Sequence, residues 1–466
     1  LPFAFASGST LTRTFDDIMR FFDTPMLAGP TRVSRCESST SGGESGRSGR
    51  AAATAFVALT ALGSGARAQS PASDSTAHKA LSGTVTYTSA AVNNLVGGAR
   101  RGTVVAGAAA AQLTVGLREL VGWRGAHAFV SLLATHGGAP SDIVGDVQGV
   151  SNLEAPAGVR LEEAWLQQNA LADRLSLLAG RYDLSTEFYF TRSGNLFLNS
   201  SPGMGAEFGS SGVEGPSSYP FTAVGARIGV KPSANSVVRA AVLDGVPVDR
   251  PDGGIHLFAP GDGLLMVGEV ALLSRPDTTA KRQERRFLIG RGQPRPYTGK
   301  IAIGTWYYTA RSGDLADTLP TGAPVERHGS GGAYAVADQT LWRAPHGGPG
   351  LLTAYVQVGV GDRRVYQIGS YRGGGITLTA PFTKRAQDEV GVAVAAARNG
   401  SHFVRAQAMA QRMAPNETAL ELTYLAQLAS WIAVQPDFQY ILNPGGAGTA
   451  RHAFVLTMQV AVSRSF

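Results

Sequence analysis

The chain ends on a segment in which apolar and polar residues alternate, and this rhythm restricts the fold more than any other feature. In 454–466 one parity carries Phe454, Leu456, Met458, Val460, Val462 and Phe466, interrupted only by Arg464. The other parity is mostly small or polar, with Thr457, Gln459, Ser463 and Ser465. Successive side chains of a strand point to opposite faces, so one face suits hydrocarbon and the other water. A tilted strand crosses a bilayer in about 9–11 residues, and the segment is long enough. The edge strand of a soluble sandwich alternates as well, so the inference depends on recurrence along the chain.

The rhythm does recur. Strand-like segments are expected at 81–88, 104–117, 126–135, 159–168, 174–184, 222–231, 236–243, 263–273, 299–309, 331–342, 351–360, 374–381, 388–397, 418–428, 433–441 and 453–466. Ile301, Ile303, Thr305 and Tyr307 oppose Ala302, Gly304 and Trp306, and Leu352, Ala354, Val356, Val358 and Val360 oppose Thr353, Tyr355, Gln357 and Gly359. No run approaches the roughly 18–20 apolar residues of a membrane-spanning helix. A chain without one can occupy a bilayer only as a closed barrel, because closure alone pairs every backbone group in lipid.

Tight connectors (169–173, 232–235, 429–432) tend to alternate with long Gly/Pro/Ser-rich ones (137–158, 185–221, 245–262, 310–330), as expected of short periplasmic turns and long extracellular loops. The basic segment 274–298 departs from this pattern. Both termini on the periplasmic side require an even strand count, so His402–Met413 reads as helix-prone loop. The fold class expected is all-β: a transmembrane antiparallel barrel of sixteen strands spanning 81–466.

The N-terminal region reads as export machinery. Arg47 and Arg50 precede an apolar stretch, Ala51 to Leu62, and Ala66-Arg67-Ala68 has the small-x-small form of a cleavage site. A signal peptide at 47–68 and a linker at 69–80 are expected, with 1–46 left as an unassigned extension. Cys36, the single cysteine, lies upstream of the cut, so disulfides and thiolate metal sites are excluded from the barrel. The net charge of +7 is scattered rather than clustered, which argues against nucleic acid and is compatible with an anionic lipopolysaccharide surface.

Several phrases resemble one family in order and spacing. They include Leu161-Glu162-Glu163-Ala164-Trp165-Leu166-Gln167-Gln168, Ala179-Gly180-Arg181-Tyr182-Asp183 with Glu187-Phe188, Phe197-Leu198-Asn199-Ser200, Gly225-Ala226-Arg227, Gly268-Glu269, Glu421-Leu422-Thr423-Tyr424 and Gln435-Pro436-Asp437-Phe438-Gln439-Tyr440. Together they are similar to the carbohydrate-selective porins of the OprB type, over nearly all of 80–466. The resemblance implies a sixteen-stranded outer-membrane barrel for selective passive diffusion of sugars, with carbohydrate solutes and outer-membrane lipid as partners, no cofactor, and a homo-oligomer left open.

A sugar channel needs a polar lumen and charged groups at a constriction, not a nucleophile. Parity nominates Glu163, Trp165 and Gln167 on one face, Arg181 and Asp183 on another, Arg227 opposite apolar neighbours, Glu269 at membrane depth, and Gln435, Asp437 and Gln439 opposite Val434, Phe438 and Tyr440. Glu187 and Glu421, within the family phrases, complete the charged set. Trp306 and Tyr308 are candidates for stacking on a sugar, or for girdle or plug packing. For each charged position the plainer alternative is a wall group satisfied by a neighbour. The 185–221 loop is the segment expected to fold into the lumen. Enzymatic motifs are missing from the sequence: His127 and His136 lack metal-binding spacing, and neither H-E-x-x-H nor G-x-S-x-G occurs. A general or anion-preferring porin, and a secreted carbohydrate-binding β protein, remain the competing functions.

Overall fold

The structure, a computed structural model, describes residues 80–247, 258–274, 297–382, 384–407, 416–446 and 450–466. The expected extension, signal peptide and nearly all of the linker lie outside the described residues, as does most of the basic segment 274–298.

Sixteen strands run in chain order around a closed antiparallel barrel, β1 pairing with β16. They are β1 Leu81–Gly98, β2 Gly102–Gly116, β3 Ala126–Gly137, β4 Gly158–Ala170, β5 Leu175–Tyr182, β6 Ala223–Ser233, β7 Ser236–Asp244, β8 Leu264–Leu273, β9 Gly299–Thr318, β10 Pro324–Arg343, β11 Leu351–Gly361, β12 Ile368–Thr379, β13 Glu389–Asn399, β14 Asn416–Ala429, β15 Ile432–Leu442 and β16 Arg451–Ser465. Each expected segment corresponds to one of these strands. Closure is in register along the terminal strand, with Tyr87 opposite Val462 and Ala91 opposite Met458.

The two-residue period separates two solvents. Ile303, Val356, Val392, Leu422, Phe438 and Met458 point outward and are exposed, Ile303 by 66%. Their strand neighbours Ala302, Tyr355, Ala393, Thr423, Gln439 and Thr457 point inward and are buried. So much exposed Ile, Val and Leu would be an aggregation surface in water, whereas in hydrocarbon it is the solvated state.

The rims are unequal. One carries turns such as 171–174, where Leu171, Ala172 and Asp173 all take positive φ, together with both ends of the barrel domain. The other carries 138–157, 183–222 and 245–263, the last with residues 248–257 outside the described set. The expected loop 310–330 is instead a β-ribbon, since β9 runs to Thr318 and β10 starts at Pro324. Beyond the membrane neither ribbon face meets hydrocarbon, so apolar alternation stops marking it. Charge pairs bind it instead: Arg311 with Glu326 (3.2 Å) and Arg327 with Asp314 (2.7 Å). The expected helical loop contains the helix Ser401–Gln407, whose His402 Nδ1 lies 2.8 Å from Asp314 Oδ1, and residues 408–415 lie outside the described set.

Candidate functional site

The lumen is occupied from above by the loop 183–222. It begins at Asp183, whose carboxylate accepts from the Ser185 amide (2.8 Å) and starts a 3-10 turn at Leu184–Thr186. Further on, Tyr189, Phe197 and Phe208 are at most 2% exposed. A loop inside a barrel carries backbone N–H groups that no strand can pair, and each must find an acceptor. The wall supplies carboxylates. Glu269 of β8 accepts from the Tyr189 amide (3.0 Å), Asp338 of β10 from the Ser193 amide (3.2 Å), the Ser193 hydroxyl (2.9 Å) and the Arg192 amide, and Glu421 of β14 from the amides of Leu198 and Asn199. Donors on the wall serve loop carbonyls in return. Lys300 Nζ reaches Phe190 (2.9 Å), Gln357 reaches Pro202 (2.9 Å) and Gln435 reaches Leu196 (2.7 Å). Gln439 donates to Val150 (2.8 Å) on the loop 138–157, which Glu417 also holds through the Val147 amide (3.0 Å).

Apolar packing completes the plug. Phe208 stacks on Trp306 with ring centroids 4.4 Å apart, and Tyr189 packs on Tyr334 at 4.3 Å. Trp306 and Tyr308 do point inward from β9, and the loop covers both (1% and 2% exposed). They pack the plug and are closed to a sugar in this arrangement.

The charged candidates Glu187, Arg227 and Glu269 meet in one buried network. Arg227 grips Glu187 with two nitrogens (2.7 and 3.0 Å) and reaches Gln167 Oε1 (3.1 Å). Arg239 bridges Glu187 (3.9 Å) and Glu269 (3.5 Å), and Lys300 closes on Glu269 (3.1 Å). Buried charges need partners of this kind, because removing one leaves the other desolvated and unpaired. Arg239, Lys300 and Asp338 are absent from the sequence candidates. The signal was available: Arg239 shares the parity of Val237 and Ala241, Lys300 that of Ala302 and Trp306, and Asp338 that of Tyr334 and Val336.

Glu163, Trp165 and Gln167 share the inward face of β4, and Trp165 Nε1 donates to Glu163 (3.0 Å). A bulge on β4, where Glu162 is the extra residue opposite the Ser131–Leu132 step of β3, turns Glu162 inward as well, where it accepts from Ser131 Oγ (2.8 Å). Strict alternation assigns Glu162 to lipid. Arg181 departs from the expected inward face: it shares the parity of exposed Leu177 and Ala179, and near the loop end of β5 its Nε donates to Thr222 (2.9 Å). Asp183, expected beside it on a strand face, is the loop cap described above. Gln435, Asp437 and Gln439 all point inward, with Gln439 Nε2 on Asp437 (3.1 Å). Trp165 and Gln167 remain half-buried, not sealed.

On the loop 138–157, Asp146 stands apart. Both its carboxylate oxygens are shielded from solvent, and no cation pairs with them among the described residues. Burial, then the nearby Glu417 and Glu154 carboxylates, push its pKa up to about 7. Among the described residues, Asp314, Asp317 and His402 bring three metal-ligand atoms within 4.8 Å of one another. Arg327 and Arg405 already engage those carboxylates, so the group works as a clasp between ribbon and helix.

A closed barrel with an apolar belt outside, a polar wall inside and a loop folded into its lumen defines an outer-membrane porin. Residues 100–463 match the family described as "Carbohydrate-selective porin, OprB family", and the chain belongs to that family. It is 24% identical over 185 residues to Porin B of Pseudomonas aeruginosa, a match covering 35% of this chain and 40% of that protein's length. A high-pH structure of Pseudomonas putida OprB superposes with a TM-score of 0.70 at 20% identity, covering 83% of this chain and 94% of that one. As a porin of this family, the chain resides in the bacterial outer membrane and forms a channel.

Proposed function

We propose that this porin carries passive, selective diffusion of small carbohydrates such as glucose, and disfavours charged solutes. One observation carries the second clause. Many of the fixed charges on the lumen wall are engaged by one another and by loop amides: Arg227 by Glu187, Arg239 and Lys300 by Glu269, Asp338 and Glu421 by backbone N–H groups. A wall compensated in this way presents little net field to a passing ion and still offers dipoles to hydroxyls. An anion-preferring pore needs surplus unpaired arginine in its lumen, which this pairing argues against. Trp165 and Gln167, inward and only half-buried, are the groups best suited to touch a solute.

Liposome swelling with the purified protein tests this by comparing glucose, a zwitterionic amino acid and phosphate. Glucose is expected to enter fastest and phosphate slowest, and Trp165→Ala with Gln167→Ala is expected to alter the glucose rate without loss of folded protein. Equal rates for glucose and phosphate would remove the selectivity claimed, and no swelling at all would remove the channel.

A further inference from the structure

The outward surface of β12, β13 and β14 changes character abruptly at its extracellular end. Strand register aligns Val356, Gly374, Val394 and Leu420 in one row across β11 to β14, all facing outward. Two residues further along each strand, about 6.6 Å, the next row reads Val358, Arg372, Ala396 and Thr418. The row beyond that reads Val360, Ser370, Arg398 and Asn416. Val356, Val394 and Leu420 are 57%, 42% and 45% exposed and belong to the hydrocarbon belt. Tyr440, opposite Leu420 on β15 and outward-facing, marks the same level with the amphipathic ring that membrane interfaces favour.

Arg372 and Arg398 are both exposed and are diagonal neighbours on adjacent strands, a separation of about 7–8 Å at that geometry. Neither has an ion pair among the described residues, and no Asp or Glu stands on the outward parity of β11, β12, β13 or β14. The Asn416 amide is engaged by Thr418 (2.9 Å). Two like charges placed together at the edge of a hydrocarbon surface repel unless an anion joins them, and paired guanidiniums match phosphate oxygens well. Below them, Gly374 presents no side chain between Val356 and Val394, and Ala396 continues the same depression. An anion clamp above an apolar surface, with a gap at Gly374 that closes at exposed Ile376, suits a phosphorylated headgroup whose acyl chains lie against that surface.

We propose that this face binds lipopolysaccharide of the outer leaflet, with a lipid A phosphate held between Arg372 and Arg398 and acyl chains on the apolar surface below, over Gly374. The commitment to lipopolysaccharide follows from depth: the clamp lies on the rim of the long loops, away from the rim that holds both ends of the barrel domain. It depends on the orientation of the barrel and not on which solute passes through it.

The test uses the full-length protein in detergent, titrated with bisphosphorylated lipid A, dephosphorylated lipid A and phosphatidylglycerol, with bound lipid read by native mass spectrometry. Arg372→Gln with Arg398→Gln is expected to weaken bisphosphorylated lipid A at least tenfold. Dephosphorylated lipid A should bind wild type and variant alike, and Arg118→Gln, an exposed change on the opposite rim, should change nothing. Arg372→Lys with Arg398→Lys keeps charge without the planar fork and should fall between. Unchanged glucose swelling identifies the variants as folded. Equal lipid A affinity in wild type and the glutamine variant overturns the proposal, as does phosphatidylglycerol binding as tight as lipid A.

Discussion

If wall carboxylates hold the lumen loop by its backbone, removing one should widen the pore without unfolding the barrel. Asp338 is the sharpest case, since beyond two successive amides, Arg192 and Ser193, it also accepts from the Ser193 hydroxyl. A hydrogen bond to a charged acceptor contributes about 1.5–3 kcal/mol net, and losses within one network overlap, so Asp338→Ala should cost the docked loop about 4–6 kcal/mol. Each 1.4 kcal/mol is a factor of about ten, so even the lower figure raises the undocked population around 190–193 roughly 10³-fold. Asp338→Asn keeps a single acceptor oxygen and should lose about half as much.

The barrel itself is held by a continuous interstrand ladder that neither variant touches. Glu269 and Glu421 still tether the loop on either side, so the opening is local. The assay is swelling with a monosaccharide, a disaccharide and a trisaccharide, with heat-modifiable electrophoretic mobility as the check on folding. The rate ratio of trisaccharide to glucose should rise from wild type to Asp338→Asn to Asp338→Ala. A folded Asp338→Ala protein with the wild-type ratio would falsify the anchoring role.

Arg227→Ala leaves Glu187 buried beside a weaker partner, Arg239 at 3.9 Å, and should destabilise the loop by about 3–5 kcal/mol, read as earlier proteolytic nicking within 183–222. Arg227→Lys should recover part of this, because one ammonium cannot replace the two nitrogens on Glu187. For Asp146 the folded loop holds a proton that the unfolded segment releases near 3.8, so its contribution is greatest below that value, declines as pH rises to about 7 and is flat above. The full change is on the order of 4 kcal/mol, and hydrogen-exchange protection of 141–150, corrected for intrinsic rates, should be higher at pH 5 than at pH 8. Asp146→Asn should flatten the difference.

What the chain discloses before folding follows from where the physics is local. Strand faces were legible because the solvent changes at every residue: Val356 meets lipid and Gln357 the lumen, and nothing remote decides it. The ribbon 310–330 is not legible because neither of its faces meets hydrocarbon, so the period carries no information there. Glu162 was not legible because its inward turn depends on a bulge set against β3, a property of the pair of strands and not of β4 alone. Arg181 shows the reverse failure. Counting parity from Asp183 treats a residue that has already left the strand as a guide to those still within it.

The lumen presents a deeper difficulty, which is that a polar inward side chain has two employers. Glu421 and Gln435 look equally suited to a sugar hydroxyl and to a loop amide, and only the path of 183–222 assigns them to the loop. The sealing of Trp306 beneath Phe208 follows the same logic: an aromatic on a wall becomes a sugar platform only if no loop reaches it first. A barrel of sixteen strands is wider than a monosaccharide needs, so selectivity requires something to fill the excess, and whatever fills it must have its amides satisfied. The many inward carboxylates are therefore expected even where they never meet solute. In the function proposed above, specificity rests with the residues the loop leaves half-open, Trp165 and Gln167 among them. For a pore of this design, grafting the loop 183–222 together with Glu269, Asp338 and Glu421 should transfer size selectivity, whereas grafting the loop alone should leave its amides unpaired and the pore wide.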